Sequence, residues 1–222
     1  MERKIVQTAD GSKTIQLTQW GEQYHSMHGA LQEAYHVFIR QGLQQFSNRE
    51  VNLLEIGFGT GLNALVTLRE APGRQLSVRY TALEAYPVVE EEWKELDYAD
   101  LLDEKQEAKH HFEQLHLAPW GEDYPITPSF TLHKLKIDIR DFKSDPAFDL
   151  VYFDAFGARV QPELWTDAIF QGMYQALRPA GCLVTYSAKG SVRRAMQKAG
   201  FGVERLPGPP GKREMLRAFK PH

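Results

Sequence analysis

The stretch "VNLLEIGFGTGLNALV", residues 51–66, decides the fold. An apolar, β-favouring run over Val51–Ile56 passes directly into Gly57, Gly59 and Gly61, and then into the apolar spacing of a helix over Leu62–Leu68. Strand, glycine turn and helix in that order form the opening unit of a doubly wound sheet, where the first strand-to-helix turn lies at the ligand crevice. Glycine there permits unusual dihedrals and a close approach of backbone to ligand. No Lys-Ser/Thr pair follows the glycines, so the turn is not a P-loop. Its G-x-G-x-G spacing also differs from the G-x-G-x-x-G of dinucleotide sites.

The alternation continues downstream. Apolar runs predict strands over Leu76–Leu83, Phe130–Ile137, Phe148–Phe153 and Cys182–Ser187, and helical spacing predicts helices over Pro87–Leu96, Thr166–Leu177 and Ser191–Ala199. Two further strands, Gly202–Leu206 and Glu214–Phe219, are joined only by the turn "PGPPGK", which predicts an antiparallel hairpin at one end of the sheet. Upstream, "KTIQL" at 13–17 reads as a strand and Gly29–Phe46 carries helical spacing. Leu115–Ser129, with Pro119, Pro125 and Pro128, reads as a long loop inserted near the site. The expected architecture is an α/β, doubly wound, mostly parallel Rossmann-like sheet over 49–222, with an N-terminal strand-and-helix extension over 1–48 packing on it.

Composition sets bounds. The 222 residues are 42% hydrophobic and 25% charged, enough for a sizeable core. Cys182 is the single cysteine, which excludes an internal disulfide and a cysteine-built zinc cluster. The polar start "MERKIVQTADGSKT" is unlike a signal peptide, and no run approaches a membrane span, so a cytoplasmic protein without membrane or metal partners is expected. The net charge of −3 hides an asymmetry: residues 84–123 carry −10 and residues 178–222 carry +8. The basic C-terminal part offers a local face for a polyanion, or else a solvated surface.

Acidic residues stand at the ends of four successive predicted strands: Glu55, Glu84, Asp138 and Asp154. An acid at the end of the second strand suits ribose hydroxyls, and a carboxylate beside the glycine turn suits a cationic ligand. S-adenosylmethionine meets both demands. Glu55, Gly57, Gly59, Gly61, Glu84 and Asp138 are therefore the expected cofactor-binding set, with Asp138 placed for the adenine amino group.

Several segments together are more specific than the glycine turn: "TADGSKTI" at 8–15, "YHSMHGALQEAYHVF" at 24–38, "ALEAYP" at 82–87, "DAFGARVQPELW" at 154–165 and "GKREMLRA" at 211–218. With these the chain resembles the methyltransferase half of the MnmC family of tRNA 5-methylaminomethyl-2-thiouridine methyltransferases, over nearly its whole length. The resemblance implies methyl transfer from S-adenosylmethionine to the exocyclic amine of 5-aminomethyl-uridine at the wobble position, with the tRNA anticodon loop as partner. The bifunctional relatives carry a C-terminal flavin oxidase half, so a chain ending at His222 implies a stand-alone methyltransferase. Gly157-Ala158-Arg159-Val160 departs from the family pattern of Ser/Ala-Pro and Lys-Asn, beside the proposed target base.

Such a reaction needs a neutral amine, and a carboxylate that binds the ammonium and helps it lose a proton is useful. Asp154 is the expected catalytic residue. Phe156 is expected to wall the splayed base, Tyr24, His25 and Ser26 to line the same pocket, and Lys212 and Arg213 to contact RNA. His25 also suits a purely structural role. Transfer to a small-molecule amine, as in aminopropyltransferases of this architecture, and non-catalytic RNA binding remain the alternatives. The oligomeric state is not readable.

Overall fold

A computed structural model describes residues 2–102 and 107–222. The central sheet has eight strands. They are β4 (Glu50–Ile56), β5 (Ser77–Leu83), β6 (Asp123–Thr127), β7 (Phe130–Leu135), β8 (Phe148–Phe153), β9 (Leu177–Thr185), β10 (Gly202–Pro207) and β11 (Glu214–Phe219). Their spatial order is β10-β11-β9-β8-β4-β5-β7-β6. β7, β5, β4, β8 and β9 are parallel neighbours, while β11 pairs antiparallel with both β9 and β10. The expected C-terminal hairpin is present, with its second strand inserted next to β9.

Successive residues on the inner strands serve two cores. Leu53, Leu150 and Tyr152 join one core with α2 (Leu62–Glu70) and α5 (Glu107–Leu117). Leu54, Val151 and Phe153 join the other with α6 (Asp167–Ala176) and α7 (Gly190–Ala199). All six residues of β8 are buried, which is why that strand is apolar apart from Asp149, whose carboxylate is paired with Arg49 and Arg178.

The expected loop over 115–129 is corrected. Leu115–Leu117 closes α5, and β6 forms an antiparallel pair with β7. β6 is the edge strand, where Pro125 costs no ladder hydrogen bond. The helix expected over Pro87–Leu96 shortens to α3 (Glu90–Trp93), which α4 (Tyr98–Leu102) follows. The helical segment beginning at Gly29 is α1 (Ala30–Ala34), which continues as a wide π turn over Tyr35–Arg40. The N-terminal part forms its own antiparallel sheet of β1 (Arg3–Gln7), β2 (Lys13–Leu17) and β3 (Glu22–Gln23).

One half-buried histidine ties α5 to the glycine turn. The His116 ring stacks on Trp93 at 4.6 Å, and its Nε2 lies 3.1 Å from the Thr60 carbonyl oxygen. The neighbouring Lys134 ammonium donates to the His116 carbonyl at 2.7 Å and sits over the Trp120 ring. Burial lowers His116 to about 3 and Lys134 to about 8. An unfolded His116 binds a proton below about pH 6.5, whereas the folded one does not until about 3. Its contribution to stability is therefore complete above 6.5 and lost as pH falls, at up to about 1.4 kcal/mol per pH unit. His116→Gln should flatten the decline of Tm between about pH 6.5 and 5. An unchanged slope would show that His116 is not held neutral.

Candidate active site

The sheet register brings the acids to one level. Ile56 pairs with both Leu83 and Phe153, and Leu83 pairs with Leu135. Glu84 and Asp154 thus each stand one residue beyond a common row. The junction is stitched by backbone bonds from Gly57 N to Leu83 O (3.0 Å), Glu84 N to Leu135 O (3.0 Å) and Asp154 N to Ile56 O (3.1 Å). Above this row lies a cleft of about 1240 Å³.

Most of the expected residues line it. Gly57, Gly59, Glu84, Asp138, Asp154, Tyr24, His25, Ser26, Phe156 and Lys212 form its walls. Glu55, Gly61 and Arg213 do not. Glu55 is wholly buried one layer behind the floor. Gly61, at φ 74°, caps α2 and faces Phe58 and His116. Arg213 is solvent-exposed on the β10–β11 turn.

The glycine turn is a cradle that side chains would fill. A Cβ on Gly57 would stand 3.0 Å from the Asp154 carbonyl oxygen, and one on Gly59 3.0 Å from the Tyr24 ring. The Glu84 carboxylate accepts from the Gly59 N–H (2.9 Å) and the Tyr86 N–H (2.8 Å), which locks the turn to the end of β5. Asp138 lies on the same wall and accepts a two-pronged bond from Arg140. A positive-φ turn with an acid on the next strand fits a cationic nucleoside such as S-adenosylmethionine, which Gly57, Gly59 and Glu84 would hold.

At the floor, Asn63 Nδ2 donates to Asp154 Oδ2 at 2.8 Å and to Glu55 Oε1 at 3.0 Å. Burial is the first cause pushing the Asp154 carboxyl well above the usual carboxylate range. Glu33 adds to it, while Asn63 and Lys212 oppose it. Glu55 is pushed up chiefly by burial, and Asp154 adds to that. Glu33 itself is buried, accepts the Ser26 N–H at 3.0 Å and is ion-paired with Lys212. The Lys212 ammonium rests 4.0 Å from the centre of the Tyr186 ring, whose hydroxyl donates to the Ala155 carbonyl at 2.8 Å. Lys212 is thus turned into the cleft.

The outer wall comes from the N-terminal sheet. Phe156 meets Tyr24 edge-on at 4.9 Å and Trp20 at 5.9 Å. Arg159 crosses from the departing loop to Glu22 and the Trp20 carbonyl, and Arg3 reaches Glu92 at 2.8 Å and the Tyr86 carbonyl at 3.0 Å. His25 is pinned between Thr14 (3.0 Å) and Thr60 (3.4 Å), and burial lowers it to about 4. Trp165 Nε1 donates to the Phe156 carbonyl at 2.7 Å, a packing role that also fixes Phe156.

Sequence reasoning passed over Glu33, Asn63 and Tyr186. Glu33 offered one signal: it lies between Ala30 and Ala34 on the apolar face of its helix, where a lone acid must find a partner.

Parallel strands ending in acids above a glycine turn define an S-adenosylmethionine enzyme, and the chain belongs to a family described as S-adenosyl-L-methionine-dependent methyltransferase, whose model matches residues 103–221. Among curated relatives, the tRNA 5-methylaminomethyl-2-thiouridine biosynthesis bifunctional protein MnmC of Aeromonas hydrophila is 29% identical over 90% of this chain and 33% of its own. The MnmC of an Azoarcus strain is 33% identical over the same shares. The chain thus spans about a third of the length of these relatives. The crystal structure of MnmC2 from Aquifex aeolicus matches with a TM-score of 0.72 and 28% identity, over 98% of this chain and 70% of that one. Spermidine synthase from Thermotoga maritima shares the fold alone, with a TM-score of 0.57 and 15% identity over 98% of this chain and 68% of that one.

Proposed function

We propose that this methyltransferase acts on the exocyclic amine of 5-aminomethyl-(2-thio)uridine at the wobble position of tRNA. The observation that carries this reading is Asp154: a carboxylate at the cleft floor, beside the glycine turn and next to the Phe156–Tyr24 ring pair. The names of the MnmC relatives supply the substrate.

S-adenosylmethionine supplies an electrophilic methyl group. Gly57, Gly59 and Glu84 would hold it, with Asp138 toward the adenine. An aliphatic amine arrives largely protonated and must lose that proton before its lone pair can attack. An acid whose carboxyl lies above the usual carboxylate range is a better acceptor for that proton than an ordinary aspartate. An arriving ammonium also restores the charged carboxylate by direct attraction. Phe156 and Tyr24 wall off water and offer ring surface to a splayed uracil. Asp154 and the rings together fix the amine in line for transfer, where positioning supplies most of the rate.

RNA docking then depends on cations left free for phosphate. Lys198 pairs with Asp167, Arg217 with Glu204, Arg205 with Glu214 and Lys212 with Glu33. Among the described residues, Lys189, Arg194 and Arg213 are exposed and carry no ion pair, and Lys189 stands on the cleft rim. Binding of unmodified-amine tRNA should fall with salt, with a log–log slope of about 0.7–0.9 per phosphate neutralised. Arg213→Ala or Arg194→Ala should each lower that slope by up to about one unit. Nucleoside mass spectrometry of tRNA incubated with labelled S-adenosylmethionine should show the methylated amine. A salt-insensitive reaction, or equal activity on the free nucleoside, would favour a small-molecule acceptor instead.

A further inference from the structure

Asn63, the second residue of α2, is 3% exposed. An amide nitrogen carries two hydrogens. Here one goes to Glu55 on β4 and the other to Asp154 at the end of β8. We infer that Asn63 is a positioning residue for the amine methylation proposed above, one that holds Asp154 by Oδ2 and leaves Oδ1 for the substrate's ammonium. Among the described residues, no protein donor is bonded to Oδ1. The inference rests on Asp154 being the amine's acceptor.

The buried acid behind gives this geometry its direction. Glu55 is wholly enclosed, its Oε2 has no hydrogen-bond partner, and the Tyr80 hydroxyl beside it has none either. Asn63 therefore cannot swing toward the cleft without taking away the hydrogen bond that Glu55 Oε1 accepts, which is costly in a buried position. The amide is pinned from behind and passes that fixed position to Asp154. The surroundings of Asp154 complete the arrangement: Glu33 from α1, Lys212 from the β10–β11 turn, Tyr186 beyond β9 and Glu55 from β4. Around Glu55 stand Tyr80, Tyr152 and Glu84. Among the described residues, Asn63 is the one neutral side-chain donor bonded to Asp154, so it fixes an orientation where the charged groups set mainly a field.

With purified protein and amine-bearing tRNA, Asn63→Leu should lower kcat/KM about 10–100-fold at neutral pH, the worth of one donor to a charged acceptor. Affinity for S-adenosylmethionine should stay within about threefold. The acid limb of the pH–rate profile should move upward by about one unit, because losing a donor disfavours the charged carboxylate. Asn63→Ser keeps one donor that can serve only one acid. It should fall between Asn63→Leu and the wild type, and it carries the test if the leucine variant does not fold. In an Asp154→Ala background, Asn63→Leu should cost less than about threefold more. An unmoved acid limb in a folded variant, or the full loss repeated in that background, would overturn the inference and leave Asn63 as a support for α2. Absence of amine methylation by the wild type would instead overturn the functional reading.

Discussion

Asp154→Ala is expected to lower turnover by about 10²–10⁴-fold, the usual worth of a positioned acid–base group, while S-adenosylmethionine affinity stays within a few-fold. The separation follows from the geometry. Asp154 is held by Asn63 at the cleft floor, whereas the glycine turn proposed to cradle the cofactor is locked by Glu84 on a different strand. The pH dependence adds a sharper criterion. Burial and Glu33 raise the Asp154 carboxyl, so wild-type activity should rise as pH increases through that raised value. The alanine variant lacks this limb and depends only on the amine that is already free. Raising the pH should therefore rescue the variant more than it helps the wild type. Superimposable profiles would show that Asp154 serves to position the amine or contact the cofactor and takes no proton.

The fold was legible where a strand's neighbours are all apolar. Val51–Ile56 and Phe148–Phe153 are largely buried on both faces. They read as mainly apolar runs, interrupted by Asn52, Glu55 and Asp149, and each run is followed by residues that line the cleft. β6 was hidden because an edge strand tolerates the proline that marks a loop elsewhere. Glu84, Asp138 and Asp154 could be placed on the cleft from the sequence because each directly follows a predicted strand, whereas Glu55 lies inside one and is buried behind the floor. What lies between them could not. Asn63 carries no charge, and Glu33 is 121 positions from Asp154, so only the packing of α1 against the glycine-turn helix brings it near. The charge of the basic C-terminal stretch likewise hides how its cations are paired. Glu204 and Arg217 face each other across the β10–β11 register and are hydrogen-bonded at 3.0 Å. Lys212 is drawn inward by Glu33. A charge count along the chain sees ten cations there, whereas the fold leaves only a few free to meet phosphate.

Gly59→Val should abolish measurable S-adenosylmethionine binding in calorimetric titration. Gly59 sits at φ 52°, a region a β-branched residue avoids, and strain of about 1–3 kcal/mol is expected from the backbone alone. Its first added carbon would stand 3.0 Å from the Tyr24 ring, so either Tyr24 leaves Phe156 or the turn shifts. A shift breaks the bond from the Gly59 N–H to Glu84 and moves the carboxylate expected to hold the ribose. Glu84→Ala should act more mildly. It removes that acceptor but leaves the glycine backbone free to adopt its conformation, so affinity should fall by about 1–3 kcal/mol, or roughly 5–150-fold. The order of the two effects is itself informative. If the turn cradles the ligand, filling it must be worse than removing one hydrogen-bonding partner at its edge. Equal, small losses in two well-folded variants would mean that the cofactor does not approach the turn between Ile56 and Leu62.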